Sequence, residues 1–396
     1  MKRRDFLKTS AIAAAAIAAS PLNVRAAKEK PTVNKYNEIG KTGLKMSDIS
    51  YGAGRLPSSS MVLRAIDRGI NYFDTAPDYG SSEKYIGEAM KNIQRDKIII
   101  ASKFCTPQPY PSHLTPVSSK KEYINAVEGS LSRMKTDYLD FCFVHAIGEQ
   151  SRNMESEAKR LLNEAMLSAY RSLKEAGKVR FLAVSSHGPD NMEDLLFTAV
   201  RSGHYDMIMP SFNFMKFPSI PDMLKEAKKR GVGVIAMKTL AGAKDVDFDS
   251  KGEEFAPAAL KWVLSHPEVN GLIITIKSIA DLDLYLTASG MKYSASDQRI
   301  LDLYAMRYGK EYCRTGCSTC EPNCPKGVSI ATTLRHQMYF SDYGMEKHAM
   351  ESYAQVQGNA GRCLDCEDDT CVGGCPYELP VSTLLRNAHR TLTITV

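Results

Sequence analysis

Short apolar runs alternate with longer amphipathic runs from about residue 47 to residue 290. The short runs predict strands at 48–53, 70–74, 97–102, 138–144, 179–185, 206–210, 232–237 and 271–276. Helix patterns lie between them, for example at 121–135 and at 157–176, where Gly177 ends the pattern. Eight strands, each followed by a helix, predict an α/β fold with a parallel sheet, and the span of about 250 residues favours a closed (β/α)8 TIM barrel. An open doubly wound sheet is the alternative, weakened because no Gly-x-Gly-x-x-Gly follows the first strand.

The first 26 residues have the pattern of an export signal. A basic start precedes an apolar run from Ala11 to Ala19, and small residues surround Ala26, where we expect cleavage. The apolar run is shorter than the roughly 20 residues that span a bilayer, so we expect no membrane anchor after cleavage. The stretch Arg3-Arg4-Asp5-Phe6-Leu7-Lys8 resembles the twin-arginine motif and predicts folded export to the periplasm through that machinery. An ordinary secretory signal with two adjacent arginines is the alternative.

Charge and cysteine content narrow the function further. The formal net charge is +6, but five basic residues and one acidic residue within 1–26 leave about +2 after cleavage. A nearly neutral protein gives no electrostatic reason to expect nucleic-acid or anionic-membrane binding. Only Cys105 and Cys142 precede residue 300, whereas the other eight cysteines fall between 313 and 375. This clustering predicts a separate terminal module at 291–396, after a barrel at 35–290.

Ionisable side chains stand at the ends of successive predicted strands. Asp74 ends the second strand, Lys103 follows the third and His145 follows the fourth, while Tyr79 lies five residues after Asp74. The carboxyl ends of barrel strands meet at one rim, where TIM-barrel chemistry is found. Each residue alone has an ordinary structural explanation, as a helix cap, a packed ring or a satisfied histidine. Together they indicate proton transfer at a carbonyl.

The chemistry of that set is specific. A phenol with an ordinary pKa near 10 is a poor acid at neutral pH, so a nearby ammonium must stabilise its phenolate, and Lys103 supplies one. The ammonium needs a counter-charge, which Asp74 provides. His145 donates a hydrogen bond to the substrate oxygen. Tyr79 is then the proton donor.

These motifs resemble the aldo/keto reductase family from about residue 35 to residue 290. "GINYFDTAPDYGSSEKYIGEAM" resembles the family's segment with the catalytic aspartate and tyrosine, here Asp74 and Tyr79, and "IGKTGLKMSDISYGAG" its opening hairpin and first strand. "IIIASK" and "YLDFCFVHAIG" resemble the strands that end in the catalytic lysine and histidine, here Lys103 and His145. The resemblance implies hydride transfer between a nicotinamide, NADP or NAD, and a small carbonyl or sugar-like substrate. Its pocket would be built from barrel loops such as "TPQPYPSHLTP".

The resemblance also implies a cofactor site, with departures from the family. Ser185 and Ser186 match the pair that holds the nicotinamide carboxamide, but Met209 stands where a glutamine often lies. Lys277 and Ser278 match the phosphate-binding pair. Asp283 stands where NADP-dependent members place an arginine, and its charge would disfavour a 2′-phosphate.

The terminal module carries two cysteine groups that both end in Cys-Pro. The groups are Cys313, Cys317, Cys320 and Cys324, and then Cys363, Cys366, Cys371 and Cys375. Their spacings differ by one gap each from the bacterial two-cluster ferredoxin run, whose fourth cysteine binds the other cluster. Some aldo/keto reductases carry such a ferredoxin-like segment, so the resemblance favours one or two 4Fe-4S clusters in a mainly helical module, with Cys375 as a cross-ligand. Four-thiolate zinc and a disulfide framework are the alternatives.

Three functions stay open at this point. The first is a nicotinamide-dependent reductase or dehydrogenase. The second is an electron-transfer enzyme in which the clusters exchange electrons with a redox partner instead of free nicotinamide. The third is a partner-binding barrel without catalysis.

Overall fold

The computed structural model of the protein describes residues 30–148, 154–186, 192–215, 219–241, 254–314 and 317–393. The predicted signal peptide at 1–26 lies outside these residues. The described residues from Pro31 onward belong to one compact unit. No helix within the described ranges is both long and apolar enough to cross a bilayer.

Eight parallel strands close into a barrel, which confirms the (β/α)8 TIM barrel predicted from the sequence. Its strands are β3 (Ile49–Gly52), β4 (Tyr72–Asp74), β5 (Ile99–Lys103), β6 (Leu139–Val144), β7 (Val179–Ser186), β8 (Met207–Pro210), β9 (Gly233–Ala236) and β10 (Gly271–Thr275). Each strand pairs with the next along the chain, and β10 pairs with β3 to close the ring. All eight overlap the predicted strands, because runs buried on both faces are apolar almost throughout.

Helices follow the strands and continue after the barrel. Those beside the barrel are Ser59–Asp67, Ser82–Ala89, Lys120–Met134, Met154–Leu161, Glu164–Glu175, Met192–Ser202, Ser219–Arg230, Phe255–Leu264 and Ile279–Leu286. Those beyond it are Ala295–Tyr308, Ile330–Ser341, Glu346–Ala354, Thr370–Gly373 and Val381–Leu392. Short 3-10 turns lie at Ala53–Arg55, Met90–Asn92, Arg95–Lys97, Glu321–Asn323 and Ala360–Cys363.

The helix predicted at 157–176 is in fact two helices, so that prediction is wrong in one respect. The break lies at Asn163, whose side-chain oxygen accepts a hydrogen bond from the backbone N–H of Met166 at 2.8 Å. An asparagine that caps a helix start in this way ends the preceding helical run, because its side chain replaces a backbone partner.

Side chains fill the barrel interior, and a hairpin covers the amino-terminal end of its strands. Inward-facing side chains such as Tyr72, Phe141 and Phe143 pack inside it. A hairpin of β1 (Tyr36–Glu38) and β2 (Lys45–Ser47) adds Ile39 and Met46 to the same cluster. Because β2 leads directly into β3, this hairpin lies at the amino-terminal end of the strands. The carboxyl-terminal end is therefore left for the functional site.

The helices after residue 290 form a second core and share a third with the barrel. Leu334, Tyr353 and Leu385 belong to the separate core. The shared core contains Phe255 of a barrel helix and Tyr304 of a later helix, whose rings stack with centroids 4.3 Å apart. The terminal helices are therefore packed onto the barrel rather than tethered to it.

Candidate active site

The four side chains predicted at the strand ends lie together at the carboxyl end of the barrel. The Lys103 Nζ donates to Asp74 Oδ1 at 2.6 Å and to the Thr75 carbonyl at 2.9 Å. The same ammonium lies 5.2 Å from the centre of the Tyr79 ring. The Tyr79 hydroxyl lies 3.3 Å from Nε2 of His145. The structure thus joins the four groups in one network.

The Lys103–Asp74 pair is almost completely buried, with side chains 1% and 3% exposed. Burial raises the pKa of the Asp74 carboxyl, and the charge and hydrogen bond of Lys103 oppose that rise. Loss of one partner from a buried pair leaves an uncompensated charge that costs about 3–5 kcal/mol. The pair therefore fixes the Lys103 ammonium beside the half-buried Tyr79.

The loop that carries His145 is held in place by hydrogen bonds to its backbone. The Arg160 guanidinium donates to the His145 carbonyl at 2.7 Å, and Arg160 pairs with the buried Glu157 at 2.9 Å. The hydroxyl of Ser185 accepts from the Ala146 N–H at 3.0 Å, and Ser186 donates to the Ile147 carbonyl at 2.7 Å. Both predicted cofactor serines therefore brace the loop that carries the histidine.

Polar groups that were not predicted from the sequence surround the ring of His145. Its Nδ1 lies 3.2 Å from the Cys105 sulfur and 4.0 Å from Asp78 Oδ2. The Cys105 sulfur also lies 3.6 Å from Nδ1 of His113. Burial is the main cause that raises the pKa of Cys105 and of Asp78. The one available signal was their position, because Asp78 and Cys105 stand next to Tyr79 and two residues after Lys103.

The terminal helices reach this rim. The Tyr110 ring contacts His145 on one side and His348 of the helix Glu346–Ala354 on another, with centroids 5.7 and 5.6 Å apart. Lys238, which follows β9, lies 4.9 Å from the ring centres of Tyr339 and Tyr343. The module therefore covers part of the barrel mouth beside the four side chains.

Comparison with known proteins shows which family the barrel is similar to. A sequence profile of the aldo/keto reductase family matches residues 57–249, which include all four strand-end residues. Residues 57–249 are an aldo/keto reductase domain. L-galactose dehydrogenase of Arabidopsis thaliana is 26% identical over 283 residues, which cover 62% of this chain and 85% of that protein. L-glyceraldehyde 3-phosphate reductase of Escherichia coli K12 is 28% identical over 228 residues, or 52% of this chain and 62% of that one.

A solved structure described as an aldo-keto reductase from Pseudomonas aeruginosa shares the fold. It superposes with a TM-score of 0.54 at 22% identity, and the match covers 66% of this chain and 97% of that chain. The named relatives are reductases and dehydrogenases, and the chain is an oxidoreductase. The matched region ends before the cysteine groups, which are additional to the aldo/keto reductase domain.

The nicotinamide end of the predicted cofactor site has suitable groups. Because the Ser185 oxygen accepts one hydrogen bond, its hydroxyl hydrogen can still be donated, and because Ser186 donates one, its oxygen can still accept. A carboxamide needs one partner of each kind. Met209 lies beside Ser185 on β8, as the alignment with the aldo/keto reductase family predicts, and its thioether replaces a stronger hydrogen-bonding group.

The phosphate end of the predicted cofactor site is less suitable. Ser278 is the N-cap of the helix Ile279–Leu286, and its hydroxyl accepts from the Asp281 N–H at 3.1 Å. The Asp281 carboxylate accepts from the N–H groups of Lys277 and Ser278 at 2.9 and 3.0 Å. A phosphate would need these same donors. The Lys277 side chain is exposed.

Asp283 has a structural partner that the sequence did not reveal. Its Oδ1 accepts from the Arg68 guanidinium at 2.7 Å, and Arg68 also donates to the Pro31 carbonyl. The pair neutralises the charge that was expected to repel a 2′-phosphate. Asp283 therefore gives a weaker argument against NADP than the sequence suggests.

The eight terminal cysteines form two sets that cross the sequence groups. Burial raises the pKa of Cys313 and of Cys363, and the charge of nearby thiolates, three in each case, raises it further. The Cys313 set contains Cys313, Cys317, Cys320 and Cys375, and the Cys363 set contains Cys324, Cys363, Cys366 and Cys371. The last cysteine of each sequence group thus belongs to the other set.

Proposed function

We propose that the protein transfers hydride between a nicotinamide cofactor and a small carbonyl or sugar-like substrate. The observation that carries the proposal is the buried Lys103–Asp74 pair beside Tyr79, whose hydroxyl lies 3.3 Å from His145. A phenol between a fixed ammonium and an imidazole is suited to give up its proton.

The residues divide the work in carbonyl reduction. The nicotinamide, when bound, supplies the hydride to the carbonyl carbon. Tyr79 gives its proton to the carbonyl oxygen, which becomes a hydroxyl, and Lys103 stabilises the phenolate until a proton from solvent restores it. His145, with Nε2 as donor, orients the same oxygen. The reverse steps oxidise an alcohol.

The cofactor proposal draws different support from the two ends of its site. Ser185 and Ser186 would hold the carboxamide through one donor and one acceptor. At the phosphate end, the bonds from Lys277 and Ser278 to Asp281 would have to break first. We therefore propose NADP or NAD without a preference between them.

The substrate class is proposed from the names of two relatives. These proteins are named for L-galactose and for L-glyceraldehyde 3-phosphate, a sugar and a sugar phosphate. A polyhydroxylated carbonyl compound fits a rim that carries hydrogen-bonding groups such as Tyr79, Tyr110 and His145. A panel of aldoses and small aldehydes tests the class.

Tyr79→Phe tests the proposed reaction. The variant should fold and keep its bound metals, yet lose carbonyl reduction by about two to four orders of magnitude, as removal of a general acid does. Steady-state turnover with NADPH or NADH measures the loss. Tyr123→Phe is the control, because it removes a hydroxyl that donates to the Thr115 carbonyl at 3.0 Å and is not one of the four strand-end groups. Undiminished turnover of Tyr79→Phe would contradict the mechanism.

We also propose that the two cysteine sets hold one 4Fe-4S cluster each. A single zinc with bonds of about 2.3 Å to four thiolates brings their sulfurs to about 3.8 Å from one another. Among the described residues, the one group of candidate ligands within 4.8 Å of one another is Asp78, Cys105, His113 and His145. The wider spacing of the thiols favours a cluster, in which each iron has its own thiolate.

Positive charge beside both sets supports anionic clusters. Arg335, only 5% exposed, is a cation close to Cys313. Arg386 donates to the carbonyls of Cys363 and Cys366 at 3.0 and 2.7 Å. A cluster with four thiolates carries net negative charge, which a nearby guanidinium stabilises.

An electron-transfer role is the second candidate, because the module covers the barrel mouth through Tyr110 and His348. In this version the clusters pass electrons between the substrate site and a redox partner. Cluster reduction by substrate without added nicotinamide would support it, and clusters that stay oxidised would favour a structural role. Export to the periplasm by the twin-arginine machinery remains a proposal that rests on residues 3–8, and cell fractionation tests it.

A further inference from the structure

A cluster of four potential metal ligands lies behind the catalytic histidine. The carboxylate of Asp78, the sulfur of Cys105 and the imidazoles of His113 and His145 each place one ligand atom within 4.8 Å of all the others. All four residues are buried. The proposed hydride transfer uses only Nε2 of His145, so the other groups have no role in that reaction.

The spacing of the ligand atoms matches one tetrahedral ion. With zinc bonds of about 2.3 Å to sulfur and about 2.0–2.1 Å to nitrogen or oxygen, tetrahedral neighbours lie about 3.3–3.6 Å apart. The Cys105 sulfur lies 3.2 and 3.6 Å from Nδ1 of His145 and of His113. Nδ1 of His145 lies 4.0 Å from Asp78 Oδ2, so a small movement closes the site.

The backbone that carries the proposed ligands is fixed by hydrogen bonds. Cys105 and His113 face each other across an antiparallel bridge, which is flanked by the bonds Thr106 N–H to Ser112 carbonyl at 3.0 Å and Leu114 N–H to Phe104 carbonyl at 3.1 Å. The loop of His145 is fixed by Arg160. Ligands on braced backbone favour a defined coordination geometry.

A second observation indicates a missing partner. The side chain of Asp78 has no exposed surface, and Oδ1 has no hydrogen-bond partner among the described residues. A buried carboxylate oxygen without a partner is costly, and coordination to a cation removes that cost. Asp78 and Cys105 as anions would also neutralise a divalent ion, with two neutral imidazoles completing the set.

We propose that Asp78, Cys105, His113 and His145 bind one zinc ion. One thiolate, two imidazoles and one carboxylate are a ligand set that suits zinc, and four protein ligands make a closed site. The zinc affects the reaction only through the protonation of His145. Bound to Nδ1 of His145, it leaves the proton on Nε2, which faces the Tyr79 hydroxyl at 3.3 Å.

The existence of this zinc site does not depend on the proposed function. The effect of the zinc on His145, however, rests on that proposed function. The two are separated by measuring metal content apart from turnover. A zinc site without carbonyl reduction would leave the site intact and overturn the reaction.

Zinc content of the full-length protein tests the site. Wild type, Cys105→Ala and His113→Asn are each equilibrated with zinc, freed of loose metal and analysed by mass spectrometry for zinc and iron per chain. Cys142→Ala is the matched control, because Cys142 is the other buried barrel cysteine and lies outside the cluster. We expect both ligand variants to hold about one zinc fewer than wild type, and Cys142→Ala to hold the same amount.

The zinc K-edge absorption spectrum gives a check that does not depend on variants. The difference between wild type and His113→Asn should show one sulfur at about 2.3 Å and light-atom ligands at about 2.0–2.1 Å. Equal zinc content in wild type and in both ligand variants would overturn the proposal. A difference spectrum with sulfur ligands only would also overturn it, because that metal would belong to the terminal cysteines.

Discussion

The barrel rim and the terminal module bury chemically active groups in opposite ways. In the barrel, the Lys103 ammonium is neutralised by Asp74 at 2.6 Å, so opposite charges within the protein stabilise each other. In the module, eight thiols without disulfide partners lie in two sets of four, and burial is the main cause that raises the pKa of Cys320 to about 12 and that of Cys363 to about 11. The first arrangement is complete with protein atoms, whereas the second is stable with thiolates only when a metal binds them.

The two regions obtain their stability from different sources. The barrel has a large apolar interior and a closed ring of strands, so its fold does not need the site. The module has a small core, in which Cys320, Cys363 and Cys371 are themselves buried members. Metal binding and folding are therefore expected to be coupled in the module and independent in the barrel.

Paired cysteine variants should break the module with the largest effect and leave the barrel folded. Cys375→Ala with Cys320→Ala removes two members of one set, so we expect iron to fall from ~8 to ~4 per chain. Cys375→Ala with Cys371→Ala removes one member of each set, so we expect almost complete loss of iron. Iron analysis after anaerobic purification measures both, and circular dichroism checks that the barrel remains.

The two double variants decide between crossed and uncrossed sets. If each cluster used only its own sequence group, Cys375→Ala with Cys371→Ala would keep half of the iron, and Cys375→Ala with Cys320→Ala would lose all of it. Wild-type protein that holds zinc in place of iron and sulfide would contradict the cluster proposal itself.

A change at the buried cation Arg335 should have an effect of intermediate size. Arg335 is the module's counterpart of Lys103, because its charge lies beside the Cys313 set. Arg335→Gln should lower the reduction potential of that cluster by on the order of tens of millivolts, since the added electron loses a stabilising charge. Potentiometric titration followed by electron paramagnetic resonance measures the shift.

Arg335→Lys is the conservative control for that change. It keeps the charge and should restore most of the potential, which a purely structural role would not require. The second cluster offers an internal reference, because Arg386 serves it and is unchanged. Equal shifts of both clusters would contradict the assignment of Arg335 to the Cys313 set.

The sequence predicted the barrel and its four strand-end residues because both follow from local patterns. Apolar runs mark strands, and residues such as Asp74 and Lys103 stand at their last positions. The partners of those residues are set by distant contacts. The pairing of Asp283 with Arg68 and of Ser186 with the Ile147 carbonyl joins segments whose contact no local sequence spacing predicts.

The cysteine module shows the same limit. The spacing of each group indicates ligands, but the exchange of Cys324 and Cys375 between sets depends on how the terminal helices pack. The Asp78 cluster was invisible for a similar reason, because its four members come from three separate loops. Local pattern finds the chemistry of a residue, and packing decides its partners.

The smallest expected effect lies at the phosphate end of the predicted cofactor site. There the Asp281 carboxylate accepts hydrogen bonds that a phosphate would otherwise accept. Asp281→Ala removes the carboxylate that accepts from Lys277 and Ser278. We expect a loss of about 1 kcal/mol in the free energy of unfolding, as for other helix caps, together with tighter NADPH binding. Chemical denaturation and fluorescence titration measure the two changes.

The control for Asp281→Ala is Glu122→Ala, which removes the acidic member of the capping box at Ser119. Both variants should lose similar stability, but only Asp281→Ala should change nucleotide affinity. If stability falls in both and NADPH affinity changes in neither, the phosphates do not reach the helix Ile279–Leu286. The hydride would then come from a nicotinamide bound elsewhere on the rim, or the clusters would supply single electrons instead, so that the reaction in the barrel would depend on the module.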